Sequence, residues 1–290
     1  MLKSIFITTI AVLNLEPVEI AYQEAFSYLT VEQGVIGKDV AEVWDAPHTE
    51  GRKFLLMKAN SDKEVYLRFV QLPPVDGYSP MNNHGWNGTE LLVLDPDKIA
   101  EELENSSFEL IGAPKDLWPN GPRAMQVIGP GDEVLYLTRN QEFATSAEVD
   151  RVFIMVLGGP SMNAFADFYG NQLGLEVGDP IPFNISVVSK AQGRPPETRY
   201  PLAVATVSSD FLIELDEYPS DVNPKPMVNG EIPPGVSMVS FMVDSLNIDD
   251  LKYRAEPIRI DDFPYSGRRT AVTIGPAGEW LELIEHSDVR

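Results

Sequence analysis

Ile128-Gly-Pro-Gly-Asp-Glu-Val-Leu-Tyr-Leu137 recurs as Ile274-Gly-Pro-Ala-Gly-Glu-Trp-Leu-Glu-Leu283. Six of the ten positions are identical, and the offset is 146 residues. Each copy reads as a Gly-Pro turn feeding an alternating strand. The same offset lays Val65–Pro73 on Phe211–Pro219. Each of those strands runs into a Pro-rich, Gly-containing linker, Pro73–Gly88 and Pro219–Gly235. Matches in register along the chain indicate two tandem copies of one domain. The 290 residues divide into domains 1–145 and 146–290, and the polar Gln141–Glu148 suits the junction. Domains of about 145 residues are an ordinary size.

Each copy divides again. Short β-rich runs dominate, among them Glu64–Val70, Glu90–Leu94, Val152–Leu157, Phe211–Leu215, Ser237–Val243 and Trp280–Ile284. Helices are expected at Pro17–Tyr28, Pro96–Glu104, Ser161–Leu173 and Ile248–Tyr253, with Asp95 and Asp244 as N-caps. The chain therefore reads as α+β: four βαβββ modules at about 1–73, 84–140, 149–219 and 235–286. A single module exposes the apolar face of a curled sheet. Pairing two modules closes that face into a cup, and helices cover its outside. The expectation is two tandem cup-shaped domains, each a natural ligand pocket.

Composition narrows the chemistry. Apolar residues at 43% and charged residues at 23% describe an ordinary globular chain. With no cysteine, disulfides, thiolate nucleophiles and sulfur-ligated metals are excluded. The formal charge of −22 repels nucleic-acid phosphates and anionic membranes. The run Ser4–Leu15 follows a charged start but lacks a small-x-small cleavage site, and its β-branched stretch Ile5–Val12 reads better as a buried first strand. The longest apolar runs fall short of a membrane span. A cytoplasmic protein is expected, either a monomer or a weak homodimer.

At this level the chain resembles the vicinal oxygen chelate superfamily of glyoxalases, bleomycin-resistance proteins and extradiol dioxygenases. The residues that carry the resemblance are Ile10–Glu16 with Tyr22, Phe153–Gly158 with Phe168-Tyr169, Gly170–Leu175 and the ending Gly275–Ile284. Four modules over nearly the whole chain match the two-domain layout of the dioxygenases. The resemblance places metal ligands near the start of each module's first strand and in its last strand, usually His and then Glu. Carried over, those positions hold Ile7, Arg68, Gly88 and Tyr136 in the first domain. In the second they hold Arg151, Glu214, Ser237 and Glu282. The first domain keeps no ligand. The second keeps two carboxylates, with Arg and Ser in place of His. None of the three histidines, His48, His84 and His286, falls on a ligand position. A redox iron site normally wants imidazoles, so ring cleavage is disfavoured.

The expected site is therefore the second cup. Glu282 and Glu214 are its base and acid, or half of a structural ion pair with Arg151, or the carboxylates of a hard divalent ion. No cofactor is favoured, and a divalent metal on Glu214 and Glu282 is the alternative. Arg151 would anchor a substrate oxygen, Ser237 would orient it and Phe153 would line the pocket. Arg68 and Tyr136 form a secondary pocket in the first cup. The ligand is a small, partly apolar organic molecule, aromatic or cationic. The reading is a lyase or isomerase using carboxylate acid/base chemistry. The alternatives are a non-catalytic drug- or metabolite-binding protein and a metal-dependent dioxygenase or glyoxalase. Fold alone does not choose among them.

Overall fold

The computed structural model describes residues 2–286. The first module holds β1 (Leu2–Val12), α1 (Leu15–Phe26), β2 (Leu29–Val35), a short α2 (Lys38–Val43), β3 (Lys53–Lys58) and β4 (Tyr66–Gln71). The second holds β5 (Gly85–Val93), α3 (Pro96–Glu102), β6 (Glu109–Asp116), β7 (Arg123–Ile128) and β8 (Val134–Arg139). The third opens with β9 (Val149–Gly159) and α4 (Met162–Phe165), which runs into a π-helical turn at Ala166–Gln172. It continues with β10 (Glu176–Val177), β11 (Ile181–Asn184), α5 (Ser186–Ala191), β12 (Arg199–Ser208) and β13 (Phe211–Glu217). The fourth holds β14 (Val236–Val243), β15 (Ile258–Ile260), β16 (Arg268–Ile274) and β17 (Trp280–Glu285).

Asp95 caps α3 by accepting from the amides of Asp97 and Lys98. The helix expected at Ile248–Tyr253 is absent, leaving Asp244 none to cap. Six residues form a helix only with tertiary support. Here the tertiary bonds pull the other way: Tyr253 OH donates to the Leu246 carbonyl and Thr273 Oγ1 to that of Lys252.

The α+β class, the four modules and the two cups are as the sequence implies, save for the missing helix of the fourth module. Their partners differ. One sheet runs β15-β16-β17-β14-β1-β4-β3-β2, joining the fourth module to the first. The other runs β10-β12-β13-β9-β5-β8-β7-β6, with β11 also on β12, joining the third to the second. The junctions are antiparallel pairs of first strands, Ile7 opposite Ser240 and Gly88 opposite Val156. The halves of the chain thus do not close separate cups. The expected junction at 141–148 lies inside one cup, between β8 and β9.

One core fills the space between the sheets and takes residues from both, with α1, α3 and α4 packed into it. Tyr22 of α1 meets Phe69 and Phe108 edge-on at 5.1 and 5.6 Å. Trp86 Nε1 of one sheet donates to the Trp280 carbonyl of the other at 2.8 Å. Alternation then sends every second strand residue to the opposite, concave face. Leu67 and Phe69 enter the shared core while Tyr66, Arg68 and Val70 face the first cup. Ile213 and Leu215 enter it while Glu214 and Asp216 face the second.

The repeated motif is structural. In each copy the Gly amide donates to the Glu carbonyl across the turn, Gly129 to Glu133 and Gly275 to Glu279, at 2.8 Å. The Glu133 carboxylate accepts from the Gly131 amide, and that of Glu279 accepts from Ala277 N and Tyr169 OH at 2.7 and 2.8 Å. Burial pushes both carboxyls up to about 7. A Cβ at Gly129 or Gly275 would sit 1.9 or 2.0 Å from the carboxylate oxygen, which explains the glycines.

Candidate active site in the cup of modules two and three

The cup of modules one and four is filled. Trp44, just after α2, and Tyr265 enter it with Leu56, Met238, Val272 and Ile284 around them. Glu282 lies at its centre, fully buried. Its Oε1 accepts from Trp44 Nε1 at 2.7 Å and Tyr265 OH at 2.8 Å, and its Oε2 accepts from Ser240 Oγ. The Arg68 guanidinium lies over both rings, 5.2 Å from Trp44 and 5.4 Å from Tyr265. The carboxylate is thus satisfied by three neutral donors, whereas the Arg68 Nη1 and Nη2 are buried without a hydrogen-bond partner and rest against the two rings.

The cup of modules two and three is open. It holds a cavity of about 580 Å³ with aromatic walls that include Phe153, Phe143, Phe183 and Trp118. Phe153 and Phe143 meet edge-on at 5.1 Å. Trp118 lies 54% exposed at the mouth, in the turn between β6 and β7. The floor is acidic. Glu90 comes from β5, beside Tyr136 of β8, and Glu214 from β13, beside Val156 of β9. Asp216 lies two residues beyond Glu214 on the same face, fully buried, and neither carboxylate oxygen has a hydrogen-bond partner.

Among the described residues no basic side chain comes within 4 Å of any of these three carboxyls. Their proton affinities rise accordingly. Burial pushes Glu90 up to about 7. Burial first, then the charges of Asp216 and Glu90, raises Glu214 well above the carboxylate range. Burial does the same to Asp216. The buried Tyr136 hydroxyl, also without a partner, is held protonated by burial and by Glu214, Asp216 and Glu90. Gly88, two residues before Glu90 on the neighbouring β5, makes room for that ring, since a Cβ there would lie 3.0 Å from it.

The sequence-based site is thus redistributed. Glu214 and Phe153 line the open cavity, and Tyr136 joins them instead of Arg68. Glu282 and Arg68 share the filled cup. Arg151 reaches neither carboxylate. It donates to Asp150 at 2.7 Å, Asp210 at 3.2 Å and the Ala144 carbonyl at 3.2 Å. Ser237 Oγ is spent on the Pro233 carbonyl at 2.5 Å. Four residues were missed: Glu90, Asp216, Trp44 and Tyr265. Two were visible as acids at inward positions of apolar strands, in Thr89-Glu-Leu-Leu-Val93 and Phe211–Glu217.

Over 97% of the chain, the structure superposes on glyoxalase I from Zea mays with a TM-score of 0.67, at 12% identity and covering 92% of that chain. This is the two-domain glyoxalase-like fold. A protein of Bacillus subtilis proposed to be a dioxygenase gives a TM-score of 0.63 at 12% identity, over 98% of this chain and 85% of that one. No family model matches the chain, and no curated protein does.

The metal positions of the glyoxalase-like resemblance do not fit an ion in the filled cup. Glu282 has its acceptors occupied by donors, and Arg68 stands at the matching place. Glu214 and Glu282 lie in different cups, so they form no common ligand set. Among the described residues no three His, Asp or Glu side chains are arranged to hold a metal ion. No helix of the described residues is long and apolar enough to cross a membrane.

Proposed function

We propose that the protein is a lyase- or isomerase-type enzyme acting on a small, partly apolar organic molecule in the cavity between modules two and three. The observation that carries this reading is the pair Glu90 and Glu214 on the floor of an open aromatic-walled cavity. Both are carboxyls of raised proton affinity without a basic partner.

A general acid or base works best when its pKa lies near the operating pH. Glu90, at about 7, is present in both forms at neutrality. Glu214, held well above the carboxylate range by burial and by the charges of Asp216 and Glu90, is the group that carries a proton. Two carboxyls whose environments push them apart supply one base and one acid. Glu90 would remove a proton from the bound molecule and Glu214 would protonate it elsewhere. The Tyr136 hydroxyl, beside Glu90, would donate to a substrate oxygen where negative charge develops. The aromatic walls would exclude water and hold the body of the substrate. The filled cup supplies no such chemistry and serves as scaffold.

The test is a thermal-shift screen of small aromatic and aliphatic metabolites, followed by NMR-detected conversion of each hit by the wild type and by Glu214→Gln. Isomerised or eliminated product from the wild type alone supports the proposal. Hits that bind without conversion indicate a non-catalytic binding protein instead. Undiminished conversion by Glu214→Gln removes Glu214 from the chemistry.

A further inference from the structure

Taking that cavity as the working site, we infer that its ligand is an organic cation: an ammonium head set against Glu90 and Glu214, with an apolar or aromatic body along Phe143 and Phe153. The geometry of charge points this way. Glu90, Glu214 and Asp216 occupy one concave face, and the described salt bridges include none of them. The charged side chains lining the cavity are Glu90, Glu214, Glu142 and Lys115. Lys115 is at the rim, donating to Ser186 Oγ at 3.4 Å, and does not neutralise the floor.

A second, independent observation is the Tyr136 hydroxyl, which is buried, lines the cavity and has no partner. Its oxygen lone pairs present negative partial charge to a cationic head, quaternary or protonated. An anionic ligand would meet three carboxyls and a single rim lysine. A neutral one would leave the acidic floor desolvated and unpaired. A cation relieves both, and the aromatic walls favour its methyl or methylene groups.

Binding should also release protons. The groups facing the head are Glu90, Glu214 and Tyr136, with Asp216 and Tyr218 buried behind them and Lys115 and Glu142 at the rim. Bringing a positive charge to carboxyls held protonated by burial and mutual repulsion favours their ionised forms. Affinity for the cation therefore rises with pH between 6 and 8.

The test uses the full chain in equilibrium dialysis at pH 8 with two probes of nearly the same shape, benzyltrimethylammonium and the neutral neopentylbenzene. The cation is expected to bind at least about tenfold more tightly than the neutral probe, a gap of about 1.4 kcal/mol. It is also expected to bind more tightly at pH 8 than at pH 6. Glu90→Gln should remove most of the preference and leave the neutral probe unchanged. Val204→Trp, which crowds the cavity, should weaken both probes. Equal binding of the two probes, or a cation affinity independent of pH and of Glu90→Gln, overturns the inference. If both probes bind equally and both are lost in Val204→Trp, the cavity stands as a binding site and the cationic class alone falls. If Val204→Trp affects neither, the cavity reading falls as well. The wild-type pH dependence needs no variant, so a misfolded substitution does not leave the inference untested.

Discussion

Replacing Glu90 by Gln should stabilise the protein strongly at pH 8 and only slightly at pH 5. Glu90 is 5% exposed, and burial raises its carboxyl from 4.5 to about 7. In the unfolded chain the group titrates near its ordinary value. Between pH 4.5 and 7 the folded state therefore binds more protons than the unfolded state, and stability falls as pH rises through that window. One decade of proton affinity is worth about 1.4 kcal/mol, so the ionised group costs the fold about 3 kcal/mol by pH 8. Glutamine has nearly the shape of the protonated acid and carries no charge, so it escapes this cost. The assay is urea unfolding of wild type and Glu90→Gln at both pH values, comparing midpoints at unchanged slope. Other buried carboxyls titrate in both proteins and cancel in the difference, apart from their coupling to Glu90. A gain of about 3 kcal/mol at pH 8 that falls below about 1 kcal/mol at pH 5 is expected. A loss of stability at both pH values, or a gain independent of pH, would refute the reasoning.

In the filled cup, Glu282→Gln should lower stability by about 1–3 kcal/mol, because an amide nitrogen cannot accept the hydrogen bonds that Trp44, Tyr265 and Ser240 donate to the carboxylate. Calorimetric melting checks it, with ligand binding in the open cavity unaffected, and an unchanged melting temperature would remove the role of the three donors. Gly275→Ala should cost on the order of 1–3 kcal/mol, since its Cβ would sit 2.0 Å from the Glu279 carboxylate and displace it from Tyr169 OH and Ala277 N. An unchanged melting temperature would remove the motif's structural role.

Much of the fold was legible because the repeat is written in local chemistry. The Gly-Pro turn, the buried Glu and the alternating strand serve the same purpose where the second and fourth modules end, so 128–137 and 274–283 match. The helix expected at Ile248–Tyr253 shows the limit: a six-residue segment has no stability of its own, and contacts with Thr273 and Leu246 decide its path. The site was legible only in part. Glu214 and Glu282 stand out alike as inward carboxylates on last strands. Their fates diverge because Trp44, Tyr265 and Ser240 converge on one of them and no donor reaches the other.

The sequence by itself determined the modules, their boundaries in the Pro-rich linkers and the face to which each strand residue points. Alternation and turn chemistry act within a few residues, so they can be read without the rest of the chain. Which modules share a sheet was decided only in three dimensions. Every first strand offers the same backbone donors and acceptors along its free edge, and nothing in β1 names β14 over β5. The packing of both sheets onto one core selects the pairing of first with fourth and second with third. That choice puts Arg68 with Glu282, puts Tyr136 and Glu90 with Glu214, and so decides which cup is plugged and which is open.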